Sequence, residues 1–254
     1  SLALIPEGTN TAILDLNQNL LIIGENGSLL TNDGSSVDDF DNTKYIRNSE
    51  SSPGSGEYDG ILRREITTGI TERTKLLYPV GDDTLYTPAE ITFRDNQATF
   101  GADAYTSINL IPQEHPSADY SDASLKLYWK IQTNDITLEN DPDGDVDVIF
   151  YYDDHYVYGN ESEYEVLLYS PPDPDPLGQW YIDPGGGGND IVDFNNKVFY
   201  STHVDRKLEG DWLAGEEDVA QVTYFSRESG DYQNADTWSE INFNGRASTT
   251  GPNK

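Results

Sequence analysis

Apolar residues in this chain fall in short bursts separated by turn-forming residues. In the first stretch, Ala3-Leu4-Ile5-Pro6, Thr11-Ala12-Ile13-Leu14, Asn19-Leu20-Leu21-Ile22-Ile23 and Gly27-Ser28-Leu29-Leu30 are divided by Glu-Gly, Asn-Gln and Glu-Asn pairs. Strands spaced so closely suit the rungs of a β-solenoid or the edge strands of a sandwich. Residues 37–58 are polar, from Val37-Asp38-Asp39 to Ser51-Ser52-Pro53-Gly54-Ser55-Gly56, and read as a loop or a boundary. Strand character returns at 60–66, 75–81, 90–93 and 97–100. It recurs at Leu125-Lys126-Leu127-Tyr128-Trp129-Lys130-Ile131, which alternates apolar and polar residues for part of its length. Residues 147–152, 164–169, 179–182 and 197–200 complete the set, and many short strands with turns between them point to a β-sandwich.

No segment sustains apolar residues at i, i+3, i+4 and i+7, and Gly and Pro interrupt any long helix. The 17 tyrosines, with many Thr, Val and Ile, suit pleated, half-buried surfaces. The expectation is therefore an all-β chain. Residues 1–58 form a short, solenoid-like, strand-rich segment with a polar loop, 59–220 form one or two β-sandwich units, and 221–254 form a tail opening a further unit.

Charge narrows the function classes. With 46 acidic residues against 15 basic ones, the net charge is -31. Nucleic acid would be repelled at each phosphate, and an anionic membrane surface is disfavoured for the same reason. The acids suit solubility in a salty exterior, or coordination of hard cations, calcium first. The 254 residues hold enough chain for a core without disulfides, and the absence of cysteine removes thiol chemistry. No run of apolar residues is long enough for a membrane helix. The chain opens on neither Met nor a charged and apolar leader, as expected of a mature or excised piece.

The best metal candidate is Asn140-Asp141-Pro142-Asp143-Gly144-Asp145-Val146-Asp147. If the segment curls at Gly144, Asp141, Asp143, Asp145 and Asp147 converge as calcium ligands, although Gly144 comes too early and Tyr152 stands where an EF-hand places its Glu. The competing reading is a solvated acidic turn. Asp153, Asp154, Asn160, Glu161 and Glu163 form a second acidic group and read as loop decoration. Asp173-Pro174-Asp175-Pro176 reads as an extended spacer. The glycines Gly185 to Gly188 lack the Lys-Ser/Thr of a phosphate loop.

Enzyme chemistry finds little to work with. His115, His155 and His203 are far apart in sequence and lack a zinc-binding helical context, and there is no Gly-x-Ser-x-Gly elbow. Among the aromatics, Trp180-Tyr181, Trp212 and Trp238 are the candidate sugar platforms; Trp129 and Trp180 read as core, and Trp212 is open between core and surface.

Several segments resemble a known family. Lys75-Leu76-Leu77-Tyr78-Pro79-Val80-Gly81, then Tyr86-Thr87-Pro88 and Ile91-Thr92-Phe93, resembles the "YPVG…Y-x-P…I-T-F" signature of Bacteroidota giant cell-surface repeat proteins. Leu127-Tyr128-Trp129-Lys130-Ile131 resembles their "R-Y-W-x-I" strand, and Asn160-Glu161-Ser162-Glu163-Tyr164 the acidic turn after their paired aromatic strand. Tyr224-Phe225-Ser226-Arg227-Glu228-Ser229-Gly230-Asp231-Tyr232 with Thr237-Trp238-Ser239 resembles the opening of a further repeat, with Tyr232 where tryptophan is commoner. That opening normally runs on into an "I-P-x-G" piece, which here stands at Ile5-Pro6-Glu7-Gly8, so the C-terminal end resembles what should precede the N-terminal one.

The resemblance implies gliding-motility-type adhesins exported by the type IX secretion pathway. It implies a non-enzymatic, extracellular structural or adhesive repeat whose partners are neighbouring repeats or subunits, and surface glycans. The alternative is a carbohydrate-binding module of a secreted polysaccharide-degrading enzyme, and an extracellular hydrolase is the third reading.

Overall fold

The computed structural model describes residues 2–4, 13–15, 21–23, 28–31, 36–38, 40–48, 60–66, 74–94, 98–118, 121–138, 146–170, 178–182, 184, 190–204, 208–220, 225–226 and 238–239. The chain is all-β, and the helical pieces among these residues are short 3-10 turns.

The first strands are too short to stand alone, and each finds its partner one rung further along. Strands β1 (Leu2–Leu4), β2 (Ile13–Asp15) and β3 (Leu21–Ile23) form one rung, and β4 (Ser28–Thr31), β5 (Ser36–Asp38) and β6 (Ile46–Asn48) form the next. β1 pairs parallel with β4, β2 with β5 and β3 with β6. A third rung adds β7 (Ile61–Glu65) beside β4 and β9 (Val80–Gly81) beside β6, again in parallel. This is the solenoid-like start expected from the sequence. Two of its strands, β5 and β6, fall partly or wholly within the polar stretch 37–58 that reads as loop. Their strand state comes from parallel partners, not from a local apolar pattern. The stacking also continues beyond residue 58, through β7 and β9.

β7 has a second partner. Its other edge pairs antiparallel with β11 (Ala98–Ile111), so one eight-stranded sheet carries the solenoid into the sandwich. Beyond β11 that sheet adds β12 (Tyr128–Leu138), β18 (Gly210–Glu216), β14 (Tyr164–Ser170) and β15 (Gln179–Ile182), all antiparallel. The facing sheet has five antiparallel strands in the order β16 (Asp190–Asp193), β17 (Val198–Val204), β13 (Val146–Tyr151), β10 (Ala89–Phe93) and β8 (Thr74–Tyr78). A separate pair, β19 (Phe225–Ser226) and β20 (Trp238–Ser239), lies in the C-terminal stretch.

Between the two large sheets the core is aromatic. Trp129 of β12 lies 5.1 Å from the ring of Phe150 and 5.5 Å from Phe199, and Phe150 stacks on Trp212 at 5.7 Å. All four are fully buried. At about 25 cal/mol per Å² and roughly 200 Å² per ring, each contributes on the order of 5 kcal/mol of gross burial free energy. Each indole N–H keeps a partner, Trp129 Nε1 donating to the Thr87 carbonyl at 3.1 Å and Trp212 Nε1 to the Leu208 carbonyl at 2.9 Å. A smaller cluster of Ile111, Tyr128, Leu167, Leu213, Val219 and Ala220 covers part of the outer side of the eight-stranded sheet.

The joint between solenoid and sandwich is built on Asp82. Its carboxylate accepts the backbone N–H groups of Thr84 at 2.7 Å and Leu85 at 2.8 Å, closing an Asx turn. It also accepts the Tyr156 hydroxyl from the sandwich, while its carbonyl accepts the hydroxyl of Tyr45 beside β6 at 3.0 Å. Next to it, Asp83 pairs with Arg47 of β6 at 3.0 Å. Gly81 lets these parts approach, since a Cβ there would sit 2.4 Å from both the Leu85 carbonyl oxygen and the Tyr45 ring. Gly81→Ala is therefore expected to cost about 1–3 kcal/mol, as overpacking does. Urea unfolding checks it, and a midpoint equal to that of the parent would contradict this account of the joint.

Candidate functional site

The acidic residues proposed as calcium ligands divide between two situations. Asp141, Asp143 and Asp145 lie outside the described residues. Asp147 lies in β13, is 5% exposed, and accepts Arg94 Nε at 3.0 Å and Arg94 Nη2 at 2.7 Å on one oxygen. Its cross-strand neighbour is Thr92, and a bulge in the pairing with β17 lies between Val146 and Val148. Asp147 thus has a role in the sheet as the partner of a half-buried guanidinium. Among the described residues no three His, Asp or Glu side chains are grouped to hold a metal ion.

The second acidic group lies at the opposite end of β13, and its members tie loops together. Asp153 accepts the His155 N–H at 2.9 Å and caps the turn Asp154–Tyr156. Glu161 accepts Lys197 Nζ at 2.6 Å and the Tyr152 hydroxyl at 2.8 Å, and Asp154 also pairs with Lys197 at 2.6 Å. Lys197 stands in the left-handed region at φ 53°, at the tip between β16 and β17, so these carboxylates fix a strained turn. Partial desolvation works against the charged form, but the hydrogen bonds that Lys197 donates to Asp154 and Glu161 raise its pKa. Asp41 is exposed and closes a turn by accepting the Thr43 hydroxyl at 2.6 Å and the Thr43 N–H at 2.7 Å, which lower its pKa.

One histidine sits in a built environment that the sequence did not announce. His115 is 1% exposed and lies over the outer side of the eight-stranded sheet. The rings of Tyr128, Tyr169 and Trp180 pack edge-on around it at 4.7, 4.8 and 5.0 Å. Its Nε2 faces Asp211 Oδ2 at 3.1 Å, and its Nδ1 accepts the Ser117 N–H at 3.1 Å. That pair of bonds fixes the neutral tautomer with the proton on Nε2. Both ring nitrogens are therefore engaged, and no lone pair remains to take a proton from a nucleophile. The pair fastens the 112–118 segment onto the sheet. His155 is exposed and packs edge-on against Tyr156 at 5.3 Å, and the side chain of His203 lies outside the described residues.

The tryptophans resolve in a similar way. Trp129 is core as expected, and Trp212 is core too. Trp180 is half-buried, packed against the smaller cluster, with its Nε1 donating to the Ser117 carbonyl at 3.3 Å. Of Trp238 the structure describes the strand pairing with Ser226, and its side chain lies outside the described residues. The Asp173–Pro176 spacer and the Gly185–Gly188 run also lie outside them. The sequence signals for Asp82 and His115 were faint: an Asp two residues before Thr for the first, and none for the second, whose partner is 96 residues away.

No family model matches the sequence, and no curated protein or solved structure matches it.

Two expectations follow from these sites. His115→Phe leaves Asp211 buried without its donor and should cost about 3–5 kcal/mol, with Asp211→Asn in the same chain recovering part of it. A loss below 1 kcal/mol in urea unfolding would contradict the anchoring role. Burial pushes the phenols of Tyr128 and Tyr164 up to about 12. Unfolded tyrosine titrates near 10, so their contribution is complete below pH of about 10 and is lost as pH rises through about 12. Ultraviolet absorbance of tyrosinate should show a late titration step that coincides with unfolding; full titration near pH 10 in the folded protein would contradict it.

Proposed function

We propose that this chain is a non-enzymatic structural and adhesive repeat of an extracellular bacterial surface protein or filament. The observation that carries the reading is the eight-stranded sheet in which a parallel stack and an antiparallel sandwich share β7. A stack continued by a sandwich through unbroken strand pairing suits an element that extends a structure and bears load. Each rung of such a stack rests mainly on its neighbours, as in repeat architectures. The charge of -31 favours an exterior setting and disfavours nucleic acid and anionic membranes as partners. The resemblance to Bacteroidota surface repeats adds export by the type IX pathway and neighbouring repeats or subunits as partners. Adhesion then works by multivalency, with weak contacts repeated along an assembly.

The burial of Trp129 and Trp212 weighs against a tryptophan platform of the kind the carbohydrate-binding alternative calls for. The engagement of both nitrogens of His115 weighs against the hydrolase reading. Calcium enters this proposal as a stiffening ion held by the β12–β13 connection, with Asp141, Asp143 and Asp145 as ligands and Asp147 reserved for Arg94.

Two measurements test the proposal. Beads coated with the chain should adhere to polysaccharide-coated surfaces with a steep dependence on coating density, and absence of density-dependent adhesion would sink the adhesive reading. For calcium, thermal unfolding at fixed ionic strength should show a raised midpoint that magnesium does not reproduce. At a hundredfold excess over Kd the gain is about 2.7 kcal/mol, or roughly 5–10 °C for a chain of this size. Asp143→Asn with Asp145→Asn should abolish it, and an unchanged midpoint in the parent would reduce these acids to solvated charge.

A further inference from the structure

We propose that copies of this chain join head to tail by sheet continuation, the free edge of β1 in one copy pairing with the free edge of β15 in the next; this rests on the reading of the chain as an element of an extended assembly and names the surfaces by which neighbours meet. β1 and β15 are the two ends of the eight-stranded sheet. Among the described residues, β1 pairs with β4 alone and β15 with β14 alone. Each therefore has one edge of backbone N–H and C=O groups with no strand beside it, which is a template for a further strand.

Charge sets these two edges apart from those of the facing sheet. The five-stranded sheet ends at β8 and β16. β8 carries the exposed Lys75, and Arg64 Nη1 takes up its Leu77 carbonyl at 2.9 Å. β16 opens on Asp190 and closes on Asp193. Charged residues on an edge strand discourage the addition of another strand. By contrast β1 (Leu-Ala-Leu) and β15 (Gln-Trp-Tyr-Ile) hold no charged residue, although 24% of the chain is charged. β3 (Leu-Ile-Ile), on the same rung as β1, holds none either.

The β15 end also gathers exposed apolar surface. Tyr181 is 37% exposed and Ile182 39%, with Ile191 of β16 at 43% and Phe194 just beyond β16 at 44%. Among the described residues these are four of the five exposed large apolar side chains. β16 packs against β14, the neighbour of β15, so the two strands bound the same end of the sandwich.

Strand direction selects the geometry. β1, β4 and β7 run one way, and each step from β7 through β11, β12, β18 and β14 to β15 reverses direction. β15 therefore runs against β1, and a copy advanced along the sheet meets its neighbour in antiparallel pairing. Two different surfaces are used, so the contact does not close on itself, and the product is a filament. Like charge opposes it, with Asp173, Asp175 and Asp183 flanking β15 in sequence, so association requires screening by salt.

The test exploits the absence of cysteine, which makes introduced thiols specific reporters. Ala3 shares a register row with Leu30 and Arg63, and Ile182 with Leu167 and Leu213, rows on the same side of the sheet. Ala3→Cys and Ile182→Cys copies are mixed under mild oxidation at about 1 M salt, where the screening length is about 3 Å. Covalent pairs of one of each are expected in about tenfold or greater excess over like-with-like pairs. Sedimentation velocity of the parent at that salt should show species growing beyond the dimer with concentration. Ile182→Lys should weaken association by about tenfold or more. Tyr158→Ser, at an exposed position outside both edge strands, should leave it unchanged, and thermal unfolding verifies that each variant is folded. A parent that stays monomeric at high salt and high concentration overturns the proposal. So does an Ile182→Cys copy that pairs chiefly with itself, which would make the contact a closed dimer through β15. Density-dependent adhesion of coated beads by a chain that is monomeric under all these conditions would remove this contact and leave the adhesive reading standing.

Discussion

Strand β7 is paired on both edges, in parallel with β4 and antiparallel with β11, and most of the architecture depends on that double commitment. A parallel stack has an open edge at each end, with unpaired backbone groups that invite wrong partners. Here one such edge becomes an interior position of the sandwich sheet. The residues of β7 suit both sides: Leu62 is buried, and Arg63 and Arg64 reach outward to the sandwich. The Arg63 guanidinium lies 3.7 Å from the centre of the Tyr105 ring, and Arg64 Nη1 donates to the Leu77 carbonyl at 2.9 Å. Strand pairing, stacking and hydrogen bonding therefore cross the same junction.

Asp82 reinforces that junction from the other sheet. A buried carboxylate costs free energy unless its lone pairs are filled, and here two N–H groups and two hydroxyls fill them. Burial first, and then the Asp82 carboxylate, raise the Tyr156 phenol far above its ordinary value, which keeps it a donor at all physiological pH. The same economy recurs at Glu161, whose oxygens accept Lys197 Nζ and the Tyr152 hydroxyl. An acid-rich chain has spent many carboxylates on fixing turns and loops, which distinguishes these acids from solvated charge.

Much of the fold was legible in the sequence. Short apolar bursts between turn residues located β7, β8, β10, β13 and β14, partial alternation located β12, and the closely spaced early bursts indicated a solenoid-like start. Misreadings have physical causes. β18 is missing from the strands expected from the sequence because it is central and buried on both faces, so it shows no alternation. It also carries Gly210 and Gly215 where neighbours come too near for a side chain: a Cβ would lie 2.6 Å from Leu168 Cδ1 at the first and 2.7 Å from Ser124 Cβ at the second. β5 and β6 are polar and short, and only their parallel partners make them strands. The candidate sites were less legible. Acid spacing drew attention to 141–147, whereas the His115–Asp211 pair joins residues 96 apart, and no local pattern encodes a contact at that separation.

The central claim is that solenoid and sandwich form one cooperative unit through the shared sheet. Native-state amide hydrogen exchange across a series of low urea concentrations tests it most directly. The account expects β4 and β6 to open with the same free energy, and the same urea dependence, as β12 and β18. Exchange in β4 and β6 through a separate opening at much lower free energy would contradict it, and would make the solenoid an appendage of the sandwich.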